Sequence, residues 1–184
     1  MLFDSKSIVW YVLFAANGKA TKISDYLKLA NIEYFFPTSY KEKRIKNSEL
    51  TKYVLRPLVE NLVFVKSSKE SLDVHLREIK LKLCIRDELY YRDLGTKEII
   101  VVPDRQMQNF MLIAGCSKGQ ITYLSNEGLN LSKGTKIRII GGVLSGVEGI
   151  FMKIKGKNQV VVTLPKLFSV STAFIPTRFI LPLE

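Results

Sequence analysis

"KIRIIGGVLSGVEGIFMKIKGKNQVVVTL", Lys136 to Leu164, decides how the chain is read. Three apolar runs rich in β-branched residues are separated by two glycine-bearing turns, the pattern of short strands. The first turn, "GGVLSG", calls for positive φ or a close backbone approach, which glycine supplies without steric cost. Beyond it Ile150, Met152 and Ile154 alternate with Phe151, Lys153 and Lys155, and Gly156 and Lys157 lead the hairpin into "NQVVVTL". "STAFIP" and "RFILPL" supply the closing strands. Five short strands in about fifty residues predict a barrel, because closure protects the edges of so short a sheet.

Upstream the pattern changes. "IVWYVLF", Ile8 to Phe14, reads as a strand buried on both faces, and Asn17 and Gly18 break it. Ile23, Tyr26, Leu27 and Ala30 then mark one stripe of a helix. "EYFFPTSY" reads as a second strand ending near Pro37, and "KEKRIKNSELTK" as an exposed loop or an extended hairpin. "PLVENLVFVKSS" is the next strand. Leu72, Leu76, Ile79 and Leu83 give a second helical stripe, with a Ser-x-x-Ser lead-in suited to capping. Strand material follows on both sides of Gly95. A third helix starts at "PDRQMQNFMLIAG", with Pro103 in its first turn, Met107, Phe110, Met111 and Ala114 on its stripe, and Gly115 at its end. The order β-α-β-β-α-β-α fits one antiparallel sheet covered by helices, in the split-βαβ layout. "CSKGQITYLSNEGLNL" lacks a long apolar face and reads as a linker. The expected organisation is therefore residues 1–115, a linker over 116–131, and the barrel over 132–184: an α+β chain of two domains.

Composition narrows the function. The 184 residues carry a formal charge of +11 and are 47% hydrophobic, a globular chain suited to polyanionic partners. Residues 132–184 hold eight Lys and Arg against two acids, +6; residues 1–131 hold twenty against fifteen, +5. The small C-terminal module is the more basic part. The longest uncharged apolar stretch, Ser7 to Gly18, is twelve residues, short of the roughly 20 that cross a bilayer. It does not read as a signal peptide either: Asp4 offsets Lys6, Trp10 and Tyr11 are bulky, and no small-x-small cleavage site follows. Cys84 and Cys116 have no Cys or His at zinc spacing, so free thiols, one or both buried, are expected, with no metal and a cytoplasmic location.

The C-terminal module resembles the KOW module of NusG-like transcription factors. The residues that carry the likeness are the Ile137-Arg138-Ile139 strand, then Gly142, Gly146 and Gly149. "WYVLFA" resembles the opening of the NusG N-terminal (NGN) domain, and "RPLVENLVFV" resembles its Pro-Leu-Phe-Pro-x-Tyr-x-Phe-Val strand. "IIVVPDRQMQNFM" is similar to the start of the last NGN helix in the UpxY branch, paralogues tied to capsular polysaccharide loci. The resemblance spans nearly the whole chain in order. It implies an NGN-type antiparallel sheet flanked by helices plus an SH3-like KOW barrel. Two departures stand out. Val59-Glu60-Asn61-Leu62 replaces the family's Phe-Pro-x-Tyr, and Phe168 beside Leu167 stands where glycine is common.

The resemblance implies an elongation factor, a processive antiterminator, that docks on the clamp helices of RNA polymerase and suppresses pausing or termination. Its polymerase-binding residues would be Trp10, Phe14, Val59, Leu62 and Phe64, since large aromatics anchor interfaces. The plainer reading is core: alternating strand residues usually pack inward. Lys41, Lys43, Arg44 and Lys46 would line DNA phosphates, or else form a solvated loop. Lys153, Lys155 and Lys157 either solubilise the barrel or touch nascent RNA. Leu167 and Phe168 would meet a second protein, such as a termination factor or a ribosomal protein.

Catalysis and cofactors are not expected. His75, off its helix stripe, reads as solvated, and no orienting partner is recognisable for a nucleophile system. "NGKATK" has Leu13 where a phosphate loop needs its first glycine, and "GGVLSGVEG" fails the dinucleotide-loop spacing. Met107 and Met111 are core filler. The expectation is a monomer that acts by binding. A ribosome-associated KOW protein gripping rRNA is the alternative, but it would need a basic surface at residues 8–14 and 58–64, which are apolar.

Overall fold

The computed structural model describes residues 6–44, 50–115, 122–124, 134–154, 156–172 and 174–183. The chain divides into two compact units, Met1–Val101 and Val102–Glu184.

The first unit runs β1 (Val9–Phe14), α1 (Lys19–Leu29), β2 (Tyr34–Phe35), β3 (Thr38–Arg44), β4 (Thr51–Pro57), β5 (Leu62–Ser67), α2 (Lys69–Leu83) and β6 (Val101–Val102), the division of the units falling within β6. The main sheet has the order β2-β5-β1-β6, and β3 and β4 pair separately. With that hairpin set aside, the element order is the β-α-β-β-α-β expected of the split layout. β1 and β5 are antiparallel, pairing Trp10 with Lys66, Val12 with Phe64 and Phe14 with Leu62.

Alternation decides the core. Tyr11 and Leu13 of β1 and Val63 and Val65 of β5 pack with Ile23 and Leu27 of α1 and Leu72, Leu76 and Ile79 of α2. α1 opens at Gly18, φ 73°, and buries Ala20 with Ile23 and Leu27, while Ala30, expected on the stripe, is the exposed residue that ends the helix. α2 is capped as the Ser-x-x-Ser spacing predicts: the Ser68 hydroxyl accepts from the Ser71 N–H at 3.3 Å. It ends at Cys84, a left-handed residue with φ 50°, whose thiol is exposed. Cys116 lies outside the described residues. His75 differs from its solvated reading. It is half-buried, its Nδ1 3.2 Å from the Tyr26 hydroxyl, which itself donates to Glu78 at 2.6 Å.

The second unit contains α3 (Asp104–Gly115), β7 (Thr122–Leu124), β8 (Thr135–Ile139), β9 (Glu148–Ile154), β10 (Lys157–Leu164), β11 (Phe168–Ser171), a 3-10 turn at Thr177–Phe179 and β12 (Ile180–Pro182). Its sheet has the order β12-β8-β9-β10-β11-β7. The described pairings thus join six strands, with β12 and β7 at the two ends, where a five-stranded barrel is expected. Gly142 and Gly146 of the "GGVLSG" turn have φ of 75° and 91°, the positive values the turn calls for. At Gly149 on β9 a Cβ would lie 2.5 Å from the Val161 carbonyl oxygen, so the approach of β10 itself requires glycine.

The division by contacts groups two segments differently from the expected domains. α3, expected in the first domain, falls in the second unit. Thr122–Leu124, expected in the linker, form β7, which pairs with β11 through Leu124–Ser169, Tyr123–Val170 and Thr122–Ser171. The rest of 116–131 lies outside the described residues. Both differences rest on contacts with strands far along the chain, which local periodicity does not register.

Candidate functional site

The β1–β5 register places four of the five expected docking residues on one face of the sheet. Trp10 and Phe14 alternate with the core-facing Tyr11 and Leu13, and Leu62 and Phe64 alternate with Val63 and Val65. Phe35 of β2, opposite Phe64 in register, brings its ring to 6.5 Å from that of Phe64. The fifth residue, Val59, sits half-buried in the turn before β5.

Exposure separates these residues. Trp10 is 2%, Leu62 7% and Phe64 0% exposed, whereas Phe14 is 40% exposed. This face of β1 is therefore closed where Trp10 and Phe64 lie, and those two rings offer no surface to a partner. The Lys66 ammonium lies 5.7 Å from the Trp10 ring centroid, within cation–π range. The open end is at Phe14, whose ring lies 5.8 Å from that of Tyr91. Tyr91 is held there by the backbone: its N–H donates to the Val12 carbonyl, and the Phe14 N–H donates to that of Leu89, each at 2.8 Å. Sequence reasoning missed Tyr91, because its place beside β1 depends on this long-range pairing.

The described residues of the "KEKRIKNSELTK" stretch, on either side of 45–49, belong to the paired strands β3 and β4, in line with the second of the two readings given for it. Lys41, Lys43 and Arg44 lie on β3 opposite Val54, Lys52 and Thr51 of β4. Arg44, Lys52 and Arg56 are exposed, and Lys46 lies outside the described residues. Lys52 and Arg56 join the basic set only through the strand pairing, so spacing alone does not reveal them.

In the second unit Leu167 and Phe168 are half-buried, and Phe168 packs edge-on against Phe110 of α3, ring centroids 5.6 Å apart. Lys153 and Lys157 are exposed, and Lys155 lies outside the described residues. The unit also exposes Ile140, Val143 and Phe174, apolar residues the sequence reading did not single out, with Val143 at 84%.

Glu148 joins α3 to the sheet. Its carboxylate accepts from Arg105 of α3 and from Arg138 of β8, both at 2.6 Å. Asn109 of α3 treats the Glu148 backbone as a strand neighbour would. Its amide donates to the Glu148 carbonyl at 3.1 Å and its side-chain oxygen accepts from the Glu148 N–H at 3.3 Å. That pairing explains why a buried asparagine sits on the helix's inner face. The Arg138 hydrogen bond, with Arg105 beside it, holds the Glu148 carboxyl below the usual carboxylate range and keeps it charged.

Among the described residues no group of three or more His, Cys, Asp or Glu could hold a metal, and no helix is long and apolar enough to cross a membrane. An antiparallel sheet with two helices on one face, a separate β3–β4 pair that exposes Arg44, Lys52 and Arg56, and a second, basic β unit define a mixed α/β protein. The family model of transcription termination factor nusG matches residues 8–111. That is more than half of the 184 residues, and the chain belongs to the NusG family. No curated protein matches the chain.

Proposed function

We propose that the protein is a transcription elongation factor of the UpxY type, a processive antiterminator acting in a capsular polysaccharide operon. Its N-terminal unit binds the clamp helices of RNA polymerase, and its C-terminal unit is a KOW module. The family match over residues 8–111 supports a transcription factor of the NusG family, and the UpxY and KOW assignments rest on the sequence resemblance.

Phe14 and Tyr91 form the accessible end of the docking face, Leu62 lies next to Phe14 in register, Val59 in the turn before β5 completes the set, and Trp10 and Phe64 brace it from within. An exposed aromatic at the edge of an apolar face suits the tip of a coiled coil. Lys41, Lys43, Arg44 and Lys46, with Lys52 and Arg56, contact DNA phosphates, and Leu167 and Phe168 border the surface for a ribosomal protein or termination factor. The protein is cytoplasmic, catalyses no reaction and works by differential affinity for one polymerase conformation.

Phe14→Glu is the test. The side chain is already partly in water, so the melting temperature is expected to stay within a few degrees, roughly the effect of a surface substitution. Co-purification of polymerase is expected to disappear. Polymerase binding that survives in a folded Phe14→Glu protein refutes docking through this face.

A further inference from the structure

A cleft of about 270 Å3 lies wholly within the first unit, between α2 and the segment 88–99. Lys69, Asp73, Leu76, Arg77 and Lys80 line it from α2 at positions i, i+4, i+7, i+8 and i+11, a single face of the helix. Glu88 and Arg92 come from the other wall, and the buried Leu76, Leu89 and Tyr90 make the cleft apolar at depth. α2 packs on the side of β1 that carries Tyr11 and Leu13, so the cleft and Phe14 lie on opposite sides of the sheet.

Charge gives the cleft its chemistry. Four cations and two carboxylates line it, and both carboxylates are already engaged. Asp73 accepts from Lys69 at 2.7 Å and from the Tyr90 hydroxyl at 2.8 Å. Glu88 accepts from Arg92 through both oxygens, at 2.6 and 2.8 Å, and the remaining Arg92 nitrogen donates to the Lys97 carbonyl at 2.8 Å. Arg77 and Lys80 are left over. Neither side chain makes an ion pair or hydrogen bond among the described residues, and Lys80 is half-buried. Three residues apart on one helix, the two cations are neighbours. The cleft therefore carries a surplus of two positive charges above an apolar bottom.

We propose that this cleft binds a small organic phosphomonoester. Its phosphate lies between Arg77 and Lys80, the guanidinium fork taking two oxygens and the ammonium the third. Its apolar body rests on Leu76, Leu89 and Tyr90, the mix of apolar wall and few polar groups that holds small ligands. Charge selects the monoester: such a group carries about −1.5 to −2 at neutral pH, matching the surplus, whereas each diester link of a nucleic-acid backbone carries a single charge. The proposal does not rest on polymerase docking, which uses the other side of the sheet.

The test is calorimetry on the full-length protein with phenyl phosphate, inorganic phosphate, methyl phenyl phosphate and an oligothymidylate with unphosphorylated ends. Phenyl phosphate is expected to bind saturably, about tenfold more tightly than inorganic phosphate because its ring adds apolar burial. Methyl phenyl phosphate keeps the ring but loses a charge, and is expected to bind about tenfold more weakly than phenyl phosphate. Arg77→Gln and Lys80→Gln are each expected to weaken phenyl phosphate by a similar factor, and Lys157→Gln, which removes one charge from the second unit, to leave it unchanged. No saturable binding of phenyl phosphate overturns the proposal, as does equal affinity for inorganic phosphate or for the diester. Displacement of phenyl phosphate by the oligothymidylate assigns the cleft to a nucleic-acid strand and overturns it too. So does full affinity in the Arg77→Gln, Lys80→Gln double variant with unchanged circular dichroism.

Discussion

Asp73 on α2 accepts hydrogen bonds from Lys69 at 2.7 Å and from the Tyr90 hydroxyl at 2.8 Å, tying the helix to the segment beside β1. Burial pushes its pKa up, but the bonds from Lys69 and Tyr90 and the charges of Lys69 and Arg77 outweigh it, so the carboxyl titrates below its ordinary 3.8. The stabilisation is therefore present above about pH 4 and lost as pH falls through the lower folded value. Tyr90 moves the other way: burial first, then the bond to Asp73, raise it well above its ordinary 10.0. Its contribution is whole below about pH 10 and lost as pH rises beyond that. Asp73→Asn should cost about 1–3 kcal/mol at pH 7, and the deficit should shrink below about pH 4. Urea melts of both proteins across pH 3–7 check this; a deficit constant with pH would mean the charge is not involved.

At the scale of elements, α3 and the β3–β4 hairpin each carry a prediction. Asn109 closes two hydrogen bonds onto the Glu148 backbone from a buried position. Asn109→Ala should destabilise the second unit by about 1–2 kcal/mol, because it leaves a part-buried N–H and carbonyl without their partner. Hydrogen exchange at the Glu148 amide should accelerate accordingly, and unchanged protection there would show that α3 does not hold β9. In the hairpin, replacing Lys41, Lys43, Arg44 and Lys46 by Ser should reduce the salt dependence of DNA binding, each lost phosphate contact lowering the slope by roughly 0.9. A slope equal to that of the unmodified protein would assign those cations to solvent. The hairpin was legible only as one of two readings. Its strands are polar, so no hydrophobic period distinguishes them from a loop, and only their mutual register does.

At the scale of the whole molecule, local chemistry and long-range contact divide the account between them. Leu72, Leu76 and Ile79 could be read as buried because a helix face repeats every few residues along the chain. The same logic located β1, β5 and the glycine turn. It could not tell which end of this face of β1 stays open, because alternation makes Trp10 and Phe14 equivalent while the fold leaves 2% of one exposed and 40% of the other. Nor could it place Tyr91 beside Phe14 or Asn109 beneath Glu148, the latter pair lying 39 residues apart in sequence. By itself the sequence determined β1, β5, the helices, the Ser68 cap, the glycine turn and the basic surplus, all properties of neighbouring residues. Only the tertiary structure decided the pairing of β3 with β4 and of β7 with β11 and the open end of the apolar face, since these depend on which distant surfaces exclude water from one another.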